Sequence, residues 1–440
     1  MREEFETVYE ALRAWCRARG YAGHDPFDAL NSPLFQSTPL RRSRLARLAW
    51  TQLFKRSPVS LRALARVPEE KNSKGLALFA LAALARFRAT RDDADRSDAR
   101  RLLDELLAAR IKTAHGAAWG YNFDWQGRAF YAPRGTPALV PTAFAVRALV
   151  EATAALGKFD EGVASDEGFG VAPVEDSARS GDVSKYLEAA RGACEFILSD
   201  LNRSFESGDE VCFSYTPLDR TRVFNASLLA GEALASVGAL AREAGLIDYA
   251  RRAARYVVRR QREDGSWAYG ADSYQSWADN FHTAFVLTSL ARMLRVRGVE
   301  IVEGVGVENV AGGVAVENVA DEMRRAIGRG YKFWRESFFL ADGWPKYYHH
   351  TAHPADAHSA GASVVACVEL SELERDAPEL ATRVARWAVR ELFDPRGFFY
   401  YQKRRFQTVR TPYMRWSQAW MMYALARLLE MMNAAVMNDE

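Results

Sequence analysis

The chain has 440 residues, of which 49% are hydrophobic and 26% charged, and its formal net charge is only +3. That is ample apolar material for a large core and an ordinary charged surface, and the near-even charge gives no sign of a nucleic-acid or membrane partner. Only nine of the 59 basic residues are lysine, a bias that reflects base composition rather than phosphate binding.

The usual allowance of ~150 residues per domain would give two or three domains. A closed repeat architecture instead grows by adding hairpins around one core, and the chain reads as a single domain over 1–440. Its first twenty residues, MREEFETVYEALRAWCRARG, form an amphipathic helix with acidic residues early and arginines late, which suits the helix dipole. They lack the apolar core of a signal peptide. No run of ~18 uninterrupted apolar residues marks a membrane span, and a cytoplasmic protein is expected. The four scattered cysteines (Cys16, Cys194, Cys212, Cys367) contain no CxxC pair and read as small buried hydrophobes. The stretch before residue ~70 wraps or completes whatever the rest builds.

From there the chain repeats itself. Five segments share a Gly/aromatic turn: Trp119-Gly-Tyr-Asn-Phe, Cys212-Phe-Ser-Tyr, Gly265-Ser-Trp-Ala-Tyr, Gly343-Trp-Pro-Lys-Tyr-Tyr and Gly397-Phe-Phe-Tyr-Tyr. Each precedes a helix of small and apolar residues, beginning near Pro141, Asn225, His282, His358 and Ser417. A unit of about 55 residues fits two helices and their loops. Ala226, Ala230 and Gly231 stand where such helices would meet and would let them approach closely. Strand signals are thin. The expected fold is all-α, an α/α toroid: a ring of about five or six helical hairpins around a central cavity. Loop insertions are expected at 157–183, rich in Gly, Asp, Glu and Ser, and at 299–321, which holds the tandem copies GVGVENVAG and GVAVENVAD.

In such a ring, the N-terminal ends of the inner helices and the loops before them face one mouth of the cavity. Those positions are polar and aromatic here. Asp124, Trp125, Gln126 and Arg128 precede the helix near Pro141. Asp279 is placed as an N-cap with His282 one turn in, and Asp356 with His358 looks like a second copy of that pair. Tyr347, Arg415, Trp416 and Gln418 belong to the later units. Aromatic faces stack on pyranose C–H faces, carboxylates and amides bind hydroxyls, and arginine takes a carboxylate in bidentate fashion, so a sugar or uronate fits. Asp124, Asp279, His282, Asp356 and His358 are the candidates for proton transfer. Trp125, Gln126, Arg128, Tyr347, Arg415, Trp416 and Gln418 are the candidates for substrate binding.

His349, His350, His353 and His358 crowd ten residues, but Pro354 breaks any helical i,i+4 geometry and no Cys or Glu lies beside them, so no metal is assigned. The run Asp92-Asp-Ala-Asp95 reads as a solvated charge run. No phosphate-binding loop, dinucleotide fingerprint or nucleophile elbow occurs, and no cofactor is expected.

Gln261-Arg-Glu-Asp-Gly-Ser-Trp267 resembles the QxxDGSW repeat of terpenoid cyclases and protein prenyltransferases, which fold as α/α toroids and use that repeat structurally. The DxDD acid motif and the zinc ligands of those enzymes have no counterpart. A broader resemblance covers most of the chain. Asp25-Pro-Phe-Asp-Ala-Leu-Asn-Ser32, Asn72-Ser-Lys-Gly-Leu-Ala77, Trp119-Gly-Tyr-Asn-Phe-Asp-Trp-Gln126, Asp279-Asn-Phe-His-Thr283, Asp356-Ala-His-Ser359 and Met414-Arg-Trp-Ser-Gln-Ala-Trp420 carry it. They resemble a bacterial and archaeal family encoded among polysaccharide-biosynthesis genes, some of whose members bear the label δ-aminolevulinic acid dehydratase. No Schiff-base lysine motif supports that label here. The resemblance implies a glycan-modifying role, with a sugar or glycan substrate and polysaccharide-assembly proteins as partners. The expected activity is an epimerase, lyase or hydrolase. Two alternatives stand beside it: an isoprenoid-binding toroid, which would line its cavity with Phe, Trp and Leu and few charges, and a non-catalytic scaffold with a filled ring.

Overall fold

The computed structural model describes residues 1–127, 130–160, 181–299 and 318–439. Its helices, in chain order, are α1 (Arg2–Ala18), α2 (Pro33–Gln36), α3 (Arg44–Arg56), α4 (Ser73–Thr90), α5 (Asp93–Ala108), α6 (Leu139–Asp160), α7 (Gly181–Glu195), α8 (Phe224–Ala241), α9 (Ala244–Val258), α10 (Asn280–Leu294), α11 (Val319–Phe338), α12 (Ala357–Glu369), α13 (Ala377–Leu392) and α14 (Trp420–Asp439). A π-helical turn, Met414–Ala419, leads directly into α14.

Two kinds of helix alternate, and the sequence explains which goes where. Helix α12 is buried at every residue, and α4 from Ser73 through Phe87, because small and apolar residues occupy all their faces. Helix α13 buries one stripe, Ala377, Leu380, Ala381, Val384, Ala385, Ala388 and Leu392, and turns its arginines to water. The all-round apolar helices α4, α6, α8, α10, α12 and α14 pack each on the next, and α14 packs back on α4, so they close a ring. The amphipathic α5, α7, α9, α11 and α13 form an outer layer, each against the inner helix that precedes it in the chain. Helix α1 packs on α14 and supplies the sixth outer helix, so the N-terminal stretch completes the ring. The fold is an α/α toroid, with six hairpins among the described residues. Helices α6 and α8 contain stretches apolar and long enough to cross a membrane, but 89% and 83% of those stretches are buried inside the protein, as inner helices must be.

The repeated glycines mark one recurring contact. Gly265, Gly343 and Gly397 have φ of +87°, +89° and +95°, and each turns the chain after an outer helix. A Cβ on Gly265 would stand 2.5 Å from the Arg329 carbonyl oxygen of α11, on Gly343 2.5 Å from that of Arg383 in α13, and on Gly397 2.7 Å from that of Ala11 in α1. Each turn thus abuts the backbone of the next outer helix around the ring. The QxxDGSW segment fastens one of these turns in place. Its Gln261 Nε2 donates to the carbonyls of Gly265 and Ala326, and its Trp267 Nε1 to that of Val257. Gly231 meets Ala253 of α9, where an added Cβ would lie 3.1 Å from the alanine Cβ.

Three expectations are corrected. The first insertion is shorter than 157–183 at both ends, because α6 runs on to Asp160 and α7 starts at Gly181; the second ends earlier, because α11 starts at Val319. The remainder of both, 161–180 and 300–317, lies outside the described residues. The Asp92–Asp95 run is not solvated throughout: Asp92 caps α5 by accepting from Ala94 N at 2.8 Å, and Asp95, 2% exposed, lies 3.1 Å from the Arg13 guanidinium. Arg13 also takes Asp98 at 3.0 Å, so α1 is clamped to α5 where the ring closes.

Candidate functional site

The N-terminal ends of the inner helices converge on one mouth. Asn72 caps α4, accepting from Lys74 N at 3.0 Å and Gly75 N at 3.3 Å; Asp279 caps α10 through His282 N at 3.0 Å; Asp356 caps α12 through Ser359 N at 2.8 Å. The second helical position of five units is then Lys74, Asn225, Phe281, His358 and Arg415. Aligning the units on their caps shows that Asp279–His282 and Asp356–His358 are not copies. The caps correspond, but His282 falls one position later than His358 and matches Ser359 instead. Phe281 is the equivalent of His358, and the two rings meet edge to face at 4.4 Å.

That one-residue offset sorts the two imidazoles. Asp279 Oδ2 lies 2.7 Å from His282 Nδ1 and also accepts from Trp277 Nε1 at 3.3 Å. A carboxylate at Nδ1 fixes the proton there and leaves Nε2 as the open, basic nitrogen. His282 is wedged between Phe281 and Tyr269, at 4.0 and 4.6 Å between ring centroids, and retains some exposure. Among the described residues His358 has no carboxylate partner. It stacks on Trp416 at 4.1 Å with 19° between planes, contacts Trp420 edge-on at 5.0 Å, and is 1% exposed with neither ring nitrogen hydrogen-bonded. Burial, then the positive charges of Lys74, Arg415, His282 and Lys55, push its pKa well below 6.5, so it is a neutral imidazole at ordinary pH.

Lys74 is the cation beneath it. Its ammonium sits over the rings of Phe144, Phe285 and Trp420, at 4.2, 5.0 and 5.2 Å from their centroids. Among the described residues no carboxylate lies within ion-pair distance of it. Burial, then Arg415 and Arg147, depress its pKa well below 10.5. Lys55 enters from the N-terminal stretch: its ammonium lies 4.5 Å from the Phe27 ring. Burial lowers its pKa, against the pull of Asp356, Asp25 and Asp279.

The other expected residues divide. Arg415 is 3% exposed and already holds a carboxylate, Asp25, through two bonds of 2.6 and 2.8 Å, and it covers the rings of Tyr121 and Trp416 at 5.3 and 5.1 Å. Trp416 Nε1 donates to Asp356 Oδ2 at 3.3 Å. Burial raises the Asp356 carboxyl, opposed by Ser359, Trp416 and Lys55. Tyr347 packs edge-on against Phe281 at 5.6 Å, and Trp125 lies tilted against Tyr215 at 5.0 Å. Asp124 lies just before a short strand, Trp125–Gln126, and receives Tyr131 Oη and Arg134 N, both at 2.8 Å, and Gln36 Nε2 at 3.2 Å, which makes it a brace between loops. Gln126 is engaged by Arg47 at 2.8 Å, and Gln418 is spent on both backbone polar groups of Phe399 at 2.8 Å. Arg128 lies outside the described residues. The histidine cluster separates: His349 and His350 are exposed, His353 packs on Trp344 at 4.9 Å, and His358 is buried in the first turn of α12.

A small pocket opens beside Asp279 and His282, lined by Asn225, Trp267, Tyr269, Asp279, His282 and Thr283, and the Asn225 side-chain oxygen is buried there with no partner among the described residues. A second small pocket lies between Tyr21, Asp25, Asn72, Asn122 and Arg415. Sequence reasoning missed Lys74, Asn225, Lys55 and Asp25 as site residues. The signal for the first two was the repeat itself: counting two positions past each cap finds them.

No protein-family model and no curated protein matches the chain. Solved structures do, at low identity. The cellobiose 2-epimerase of Bacillus thermoamylovorans B4167 superposes with a TM-score of 0.57 and 12% identity over 84% of this chain and 90% of that one. A family 88 glycosyl hydrolase from Bacteroides vulgatus gives 0.55 and 8% over 97% and 99%, and a D-mannose isomerase 0.54 and 11% over 82% and 87%. At such identities the likeness establishes the toroid.

Proposed function

We propose that the chain is a carbohydrate-active enzyme that moves a proton at a sugar carbon, as an epimerase or lyase. The observation that carries this reading is the pair of imidazoles at the N-terminal ends of neighbouring inner helices: His282, oriented by Asp279, and His358, held neutral with both nitrogens buried and unpaired among the described residues. Proton removal from carbon needs a neutral base near the operating pH, and delivery to the same or a neighbouring carbon needs a second group. In this reading His358, uncharged, takes the proton, and His282, whose imidazolium Asp279 would stabilise, delivers one from Nε2. Toroids of this shape include a protein named as an epimerase, one as an isomerase and one as a glycosyl hydrolase, which supports a sugar substrate.

Hydrolysis is less well served. It needs two carboxyl groups facing the scissile bond, whereas Asp279 and Asp356 cap helices and bond to His282 and Trp416, and Asp124 braces a loop. The isoprenoid alternative expects few charges, against Lys55, Lys74, Asp25, Asp279, Asp356 and Arg415 around this mouth. Lys74, an amine with no carboxylate in ion-pair reach among the described residues, would take the carboxylate of a uronate that Arg415, occupied by Asp25, cannot. Phe281, Trp416 and Tyr347 would supply the apolar wall for the ring. A role in polysaccharide biosynthesis, with assembly proteins as partners, accords with this chemistry and with the family resemblance. The test is incubation with a panel of neutral and acidic pyranoses and their oligomers. Proton NMR would resolve epimers, and ultraviolet absorbance the conjugated alkene of an elimination. Either product supports the reading; glycosidic cleavage with addition of water and no epimerisation contradicts it.

A further inference from the structure

We infer that the stretch from residue 31 to 68 docks the protein peripherally on an anionic phospholipid surface. The even overall charge conceals a local skew: these residues include eight basic side chains and no acidic one. They also hold half of the large apolar side chains that stand exposed among the described residues, with Leu45, Leu53, Val59 and Leu64 at 78%, 53%, 63% and 80% exposure. Helix α3 shows how this arises. Its inner face is used, with Thr51 and Phe54 buried and Trp50 Nε1 donating to the Ala29 carbonyl at 2.9 Å. Its outer face, Leu45, Ala49, Leu53 and Arg56, falls at helical spacing and is exposed. A water-facing helix of a globular protein would carry charge where α3 carries leucine.

The patch extends beyond the segment. Arg404 donates to the carbonyls of Arg56 at 2.7 Å and Lys55 at 3.2 Å, fastening a turn that presents Phe406, 89% exposed, beside Arg405. Among the described residues, Arg41, Arg42, Arg56, Arg66 and Arg405 have no acidic partner in ion-pair reach. Exposed aliphatic and aromatic side chains set among unpaired arginines complement a bilayer of negative lipid, which takes the charges at its headgroups and the leucines just below. A nucleic acid would satisfy the arginines and leave the leucines in water. Because Lys55 on the same helix points into the cavity mouth, docking through the opposite face of α3 would hold that mouth at the lipid surface.

The experiment is co-sedimentation of the full chain with vesicles of phosphatidylcholine alone and of phosphatidylcholine mixed with phosphatidylglycerol. Alongside run Leu45→Asp/Leu53→Asp, Arg41→Glu/Arg42→Glu and Gly208→Ala, with thermal melts of each variant. The expected result is binding to the anionic vesicles at least about tenfold stronger than to neutral ones, falling with salt. Both patch variants should lose it at unchanged melting temperature, and Gly208→Ala should keep it. Failure to sediment with either vesicle overturns the proposal. So does binding that the leucine variant retains and a single-stranded oligonucleotide matches, which would make the patch a polyanion site, or a dimer in solution that the leucine variant dissolves, which would make it a self-interface. The outcome is independent of any sugar chemistry.

Discussion

The imidazole of His358 lies flat on the indole of Trp416, 4.1 Å between centroids, while that indole's nitrogen points to Asp356 at 3.3 Å. One tryptophan thus separates a carboxylate from the histidine two residues along the same strand-to-helix junction. Asp356 is kept as a helix cap, and His358 is left as an uncharged base.

This arrangement has a signed consequence for stability. A histidine whose folded pKa is depressed binds its proton more readily unfolded, so its contribution is present above about pH 6.5 and is lost as pH falls below that value. The slope is at most about 1.4 kcal/mol per pH unit. Melting temperatures measured from pH 8 down to pH 5 should fall for the wild type below pH ~6.5, and less for His358→Phe. Parallel curves for the two would refute the assignment.

Lys74 is a buried amine with no carboxylate in ion-pair reach among the described residues, which costs folding free energy whether it stays charged or gives up its proton. Replacing it by methionine should stabilise the protein by about 1 kcal/mol or more, read from denaturant midpoints. Affinity for an acidic sugar should fall while that for its neutral counterpart changes little. A destabilised Lys74→Met protein would mean that the ammonium has a partner.

The opposite end of the ring is closed by charge. The Arg292 guanidinium of α10 donates to Glu232 of α8 at 2.9 Å, Glu369 of α12 at 3.0 Å and Glu151 of α6 at 2.9 Å. Arg427 of α14 joins Glu369 at 3.1 Å, and Arg88 of α4 joins Glu151 at 3.1 Å, so all six inner helices are linked. Burial pushes the Glu369 carboxyl up, but Arg427, Arg292 and Arg295 together hold it far below the usual range. Its stabilising effect is therefore complete above the ordinary glutamate pKa and lost in acid. Arg292→Met, which takes one cation from three buried carboxylates that Arg147, Arg88, Arg295 and Arg427 still hold, should cost about 1.5–3 kcal/mol by chemical denaturation; a loss under about 1 kcal/mol would show the network to be slack.

Gly343→Ala should destabilise by about 1–3 kcal/mol, because φ is +89° and the new Cβ would stand 2.5 Å from the Arg383 carbonyl. Gly208→Ala, at a glycine with open space around it, should change stability by less than about 0.5 kcal/mol. Similar melting points for both variants would mean that the outer helices do not abut through these turns.

Much of the ring was legible because its units repeat locally. Each Gly/aromatic turn with the small-residue helix after it lies within one stretch of sequence, and composition separates an inner helix such as α12 from an outer one such as α13. The Asp279–His282 contact was legible for the same reason, being i,i+3 at a helix start. The Arg415–Asp25 pair spans 390 residues and the Arg292 network joins six helices, so neither leaves a local trace. The apparent copy in Asp356–His358 misled because a count along sequence ignores the helical offset, and one position at about 100° per residue moves a side chain from the carboxylate to the indole. Lys74 was hidden within an apolar helix whose pattern announces only burial.

Proton transfer at a sugar carbon by His282 and His358 is tested most directly by incubation of the protein with responsive sugars in deuterium oxide. Loss of a ring C–H resonance is followed for the wild type, His282→Asn and His358→Asn, each checked for a native melting curve. Deuterium should enter at one carbon with the wild type, and at least about a hundredfold more slowly, on the order expected for a lost acid–base group, in both variants. Exchange at the wild-type rate in either folded variant, or turnover with no deuterium incorporated, would contradict that chemistry.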